Sequence, residues 1–61
     1  MLRERIRELL GQGLAPRAAL AVLLIEEAGG FMAPEQLAEA LHCSVRSAWA
    51  YIAVYRRLQK P

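Results

Sequence analysis

Eight apolar residues stand in succession from Ala18 to Ile25, between Arg17 and the pair Glu26-Glu27. A helix made from such a run is apolar around most of its circumference and has to be enclosed by other elements. The run is far shorter than the ~20 residues that cross a bilayer, so it reads as a core helix, and no membrane partner is expected. Pro16 suits the first helical turn and Gly29-Gly30 supplies a stop, which predicts a helix from Pro16 to Ala28.

The rest of the chain is also biased to helix. It holds eleven alanines, three Val and three Ile, with no Asp, Asn or Thr, which makes helix the cheap conformation and leaves little for a sheet. An all-α fold is expected. Sixty-one residues give one small domain, because a chain of this size buries only about 60% of the surface it exposes when unfolded. A large catalytic core is excluded on the same ground.

Three further helices follow from periodicity. Leu2, Ile6, Leu9 and Leu10 fall on one side of a helix that ends near Gln12, with Arg3, Glu4, Arg7 and Glu8 opposite. Pro34 opens a short helix with Leu37, Ala38 and Leu41 inward, ending near His42. Ser44 is suited to cap a fourth, because its hydroxyl can accept a free N–H of the first turn. That helix reaches about Leu58. Ala48, Ile52 and Tyr55, with Tyr51 and Leu58 beside them, form its inner side. Arg46, Ala50, Ala53 and Arg57 form its outer side, flanked by Trp49 and Lys60.

Chemistry at a catalytic or metal centre is not expected. Adjacent His42 and Cys43 point different ways, and Ser44 and Ser47 have no positioned base. A structural zinc site takes four Cys or His ligands, and the chain offers two. Glu26-Glu27 diverge, and Glu35 with Glu39 reads as a solvated pair. The glycines lack phosphate-cradle spacing, so no cofactor is expected and an enzyme is not the reading. A single cysteine and the absence of an export signal point to the cytoplasm.

The segment from Gln36 to Ile52, QLAEALHCSVRSAWAYI, places two helices around a turn of three to four residues, the length that sets a helix-turn-helix crossing. Small Ala38 permits close approach, Leu37 and Leu41 fill beneath, Cys43 plugs the bend, and Ala48 with Ile52 anchors the second helix. His42 falls where the turn usually holds a glycine at positive φ.

Residues 14–58 resemble the winged helix-turn-helix effector domain of OmpR/PhoB-type response regulators. The chain reads LAPRAALAVLLIEEAGGFMAPEQLAEAL, then HCS, then VRSAWAYIAVYRRL. The resemblance puts Arg46 and Ser47 at the Arg-Thr that opens the recognition helix, Ile52 at a core Ile, and Arg56-Arg57 at a basic pair. It also marks departures. A helix replaces the strands that precede this unit, the chain given ends at Pro61 before a β-hairpin wing, Ala33 stands at a Ser cap, and Ala50 and Ala53 stand where polar base-readers are common. The expectation is therefore a compact helix-turn-helix without the wing. Residues 16–58 form its tri-helical unit and residues 1–13 a bracing or dimerising helix.

Charge distribution agrees with a polyanionic partner. The formal net charge is only +2, yet residues 40–61 carry Arg46, Arg56, Arg57 and Lys60 with no acid, and a phosphate backbone rewards such a local cluster through counterion release. Cations near a helix C-terminus are favourable in any protein, so Arg46, in the first turn, is the better discriminator. The sequence thus predicts a small bacterial or phage transcription regulator that binds double-stranded DNA. Ser44, Arg46, Ser47, Trp49 and Ala50 would enter the major groove, Ala50, Ala53 and Val54 could meet thymine methyls, Arg57 and Lys60 would hold phosphates, and Arg17 would add a backbone contact. A homodimer is expected to double the site. The alternative is a protein-protein module, an adaptor or inhibitor of a transcription component, that uses the Trp49, Ala50 and Ala53 face.

Overall fold

A computed structural model describes residues 2–59. Four helices account for the fold: α1 (Leu2–Gly11), α2 (Pro16–Glu27), α3 (Pro34–Leu41) and α4 (Val45–Gln59). There is no strand among the described residues, so the all-α expectation is met. The wing is absent from them too. Lys60, expected at the end of the basic stripe, lies outside the described residues.

Pro16 and Pro34 start helices as their fixed φ dictates, each at the head of its first turn. Ala33 has no side chain to cap α3, and only the reverse half of a capping box forms: the Ala33 N–H donates to Gln36 Oε1 at 3.2 Å. The α4 cap is the predicted one, since the Ser47 N–H donates to Ser44 Oγ at 3.1 Å.

The first three helices all end in the same six-residue closure. Leu14, Gly30 and Cys43 donate their N–H groups to the carbonyls of Leu9, Ile25 and Ala38, five residues back, while the residue before each donor takes a positive φ. That residue is Gly13, Gly29 and His42 respectively, and His42 is the one non-glycine among them, at φ 53 and ψ 48. This is the Schellman geometry, which satisfies orphan carbonyls and turns the chain sharply. It converts the His42-Cys43-Ser44 segment into a tight bend between α3 and α4.

The enclosed apolar helix is α2, and it faces two cores. Ala21 and Ile25 join Leu37, Ala38 and Leu41 of α3 and Ala48 and Ile52 of α4. Ala19, Val22 and Leu23 join Leu9 of α1, with Ile6, Leu14, Val54 and Leu58 packed around them. Alanines at 21, 38 and 48 sit where the helices meet, and the absence of a longer side chain lets the backbones approach. The backbone of α1 comes near that of α2 and of no other helix.

Some sequence expectations need correction. Leu20, within the apolar run, is 46% exposed, and Leu10 of α1 is 42% exposed, because no element covers either position. Glu26 is not merely solvated. It receives Arg5 of α1, with Nη2 to Oε2 at 2.6 Å and Nε to both oxygens at 3.2 Å, an ion pair that spans α1 and α2. This hydrogen bond, more than the accompanying charge attraction, pushes the Arg5 pKa up against the opposing effect of desolvation.

Candidate nucleic-acid interface

Packing of Ala48 and Ile52 into the core fixes the rotation of α4 about its axis. With 100° per residue, that rotation turns Arg46, Ala50, Ala53 and Arg57 outward, and all four are exposed. The α1 side chains meet α4 at Val54 and Leu58, and the four stripe residues stay exposed beside that contact. The side-chain ion pairs of the described residues are Arg5 with Glu8 and Arg5 with Glu26, so Arg46, Arg56 and Arg57 have no carboxylate partner among those residues. The outer stripe carries two cations, Arg46 and Arg57, with small Ala50 and Ala53 between them.

At the head of α4 the two serines interlock. Ser44 Oγ accepts from the Ser47 N–H and donates to Ser47 Oγ, each at 3.1 Å. A hydroxyl has one proton to give. The contact between the two hydroxyls uses one of their two protons and leaves the other for an outside acceptor. Ser44 is exposed and Ser47 half-buried on the flank of the stripe.

Arg17 is on α2, yet the fold brings it to the same end. Its Nη2 donates to the carbonyl oxygen of Leu41 at 2.5 Å, at the last turn of α3 where the helix dipole favours a cation. The remaining donors of this exposed guanidinium are left at the edge of the turn that leads to Ser44 and Arg46.

Val54 behaves differently from the sequence expectation. Val54 packs against the α1–α2 core and so does not belong with Ala50 and Ala53 as a contact for thymine methyls. Trp49 is 52% exposed, as its place on the flank of the outer side leads one to expect, and it stands beside Phe31, Met32, Tyr55 and Arg56. Periodicity gave no notice of this second surface, because Phe31 and Met32 lie in the connection between α2 and α3, where no helical phase assigns a side chain to a face.

Among the described residues no group of His, Cys, Asp or Glu is arranged to hold a metal ion. No described helix is long and apolar enough to cross a membrane. The chain matches no family model, no curated protein and no solved structure.

Proposed function

We propose that the chain binds double-stranded DNA through its helix-turn-helix, as a small transcription regulator related in plan to the winged effector domains but lacking their wing. The observation that carries the reading is Arg46, an exposed cation in the first turn of α4 with no carboxylate partner among the described residues. The local dipole disfavours a cation there, so the position gains nothing from the helix itself. A duplex supplies what is missing, because residues in the first turns of a recognition helix meet base edges and phosphates in the major groove.

In this reading the Ser44–Ser47 pair offers its remaining hydroxyl proton, Ala50 and Ala53 allow close approach and meet thymine methyls, and Arg57 pairs with phosphate. Ser44 holds the helix start. Arg17 adds a phosphate contact with the donors not used on Leu41, and Lys60 would extend the cationic row. A homodimer would place two such helices about 34 Å apart on successive turns of the duplex, with the exposed Leu10 side of α1 as the pairing surface.

The test is a mobility-shift titration against pooled genomic fragments. Retention of a discrete subset of fragments, lost in Arg46→Ala, supports the reading. No retention at low salt contradicts it. A second reading, a protein-protein module, is favoured by the exposure of Trp49 beside Ala50 and Ala53; it predicts that Trp49→Ala costs more binding than Arg46→Ala.

A further inference from the structure

A cavity of about 160 Å³ opens between the connection at residues 28–33 and the side of α4. Phe31, Met32 and Trp49 give it apolar walls, with Tyr55 and Arg56 at its polar edge. A volume of roughly 150 Å³ holds a benzene ring, so there is room for one Phe- or Leu-sized side chain. Phe31, at 74% exposure, and Trp49 border the same opening, and exposed apolar surface gathered in one place marks a contact site more than scattered single residues do.

The charge of the rim selects the occupant. Arg56 is the only charged residue lining the cavity, and α4 carries no acid along its length. The side-chain hydrogen bonds of the described residues join Arg5 to Glu26, Arg17 to Leu41, Ala33 to Gln36 and Ser44 to Ser47, and none engages Arg56 or the Tyr55 hydroxyl. A second copy docked by the same patch would bring a second Arg56 and no carboxylate into the contact, so neither cation would find a partner there. A duplex would satisfy the cation through its phosphates, but its bases stay stacked and put nothing into the apolar cavity. We propose that this groove binds an acidic, amphipathic segment of another protein, seating one bulky apolar side chain between Phe31 and Trp49 while a neighbouring carboxylate pairs with Arg56. The groove lies beside the outer stripe and does not depend on the DNA reading.

The test uses the intact chain and two labelled peptides of ~12 residues, with Phe and Leu at i and i+4; one has Glu at the flanking positions and the other Lys. Binding is read by anisotropy and by Trp49 emission. The Glu peptide should bind at least ~10-fold more tightly than the Lys peptide, a difference of about 1.4 kcal/mol, and should shift the Trp49 emission. Phe31→Ser should weaken it ~10-fold or more, and Arg56→Glu should reverse the preference. Both positions are exposed, and a thermal melt confirms that each variant is folded. Arg46→Ala should weaken DNA retention and leave the peptide preference intact, so either proposal can fail alone. Equal binding of the two peptides, binding of neither, self-association lost in Phe31→Ser, or DNA retention lost in Phe31→Ser each overturns the inference.

Discussion

Arg17 Nη2 donates to the carbonyl oxygen of Leu41, which ties the first turn of α2 to the last turn of α3 at the bend that presents α4. Two residues 24 positions apart in the chain thereby hold the angle at which the outer stripe is displayed. A charge-assisted hydrogen bond of this kind is worth up to about 1.5–3 kcal/mol, less here because Arg17 is exposed. Arg17→Ala should lower stability by about 1 kcal/mol, equivalent to a fall of ~4–8 °C in the melting midpoint of a chain this size. An unchanged midpoint in a circular-dichroism melt would show that the bond contributes nothing to stability.

The left-handed residue at the bend gives a second expectation. His42 repeats the role that glycine fills at Gly13 and Gly29, and an L-residue in that conformation costs roughly 1–2 kcal/mol that glycine escapes. Part of the gain is returned as extra freedom of the unfolded chain. His42→Gly should therefore be stabilising by up to about 1 kcal/mol, while His42→Val should destabilise by ~1–2 kcal/mol because a β-branched side chain tolerates positive φ poorly. Urea unfolding of the three proteins decides both signs.

The places where sequence reasoning worked are those where one residue's chemistry settles local geometry. Pro16, Pro34 and Ser44 fix helix starts, and the crowding of Ala38 with Ala48 fixes which side of α4 turns inward. The Arg5–Glu26 pair and the Arg17–Leu41 bond were not legible, since each depends on how two helices lie against each other. Leu20 shows the same limit from the other direction: an unbroken apolar run says that a helix is largely enclosed and cannot say which of its positions is left uncovered. The Phe31–Trp49 groove needed a loop and a helix to be brought together, a relation for which periodicity has no signal.

Close packing at the α3–α4 crossing separates two alanines on the same helix. Ala48 is fully buried and Ala50 exposed. Ala48→Leu should destabilise by about 1–3 kcal/mol through overpacking, whereas Ala50→Leu should stay within ~0.5 kcal/mol. Guanidinium denaturation checks the contrast, and equal costs would contradict the rotation of α4 on which the outer stripe depends.

The Arg5–Glu26 pair is bidentate and about two-thirds buried on each side, a geometry at the favourable end for an ion pair near the surface. A double-mutant cycle of Arg5→Ala and Glu26→Ala should give a coupling of about 0.5–1 kcal/mol that shrinks as salt is raised. The raised pKa of Arg5 carries stability that is full below the ordinary arginine range and fades only as pH rises beyond it, so the Arg5 side of the pair contributes no loss across neutral pH.

The most direct measurement is the salt dependence of duplex binding by the unmodified chain and by Arg46→Ala, read by fluorescence anisotropy. Logarithmic affinity should fall linearly with logarithmic salt, and the variant should bind more weakly with a slope reduced by about 1 if Arg46 meets a phosphate, or with relaxed sequence preference if it meets a base. Affinity that is insensitive both to salt and to loss of Arg46 would contradict the assignment of the α4 outer stripe to DNA.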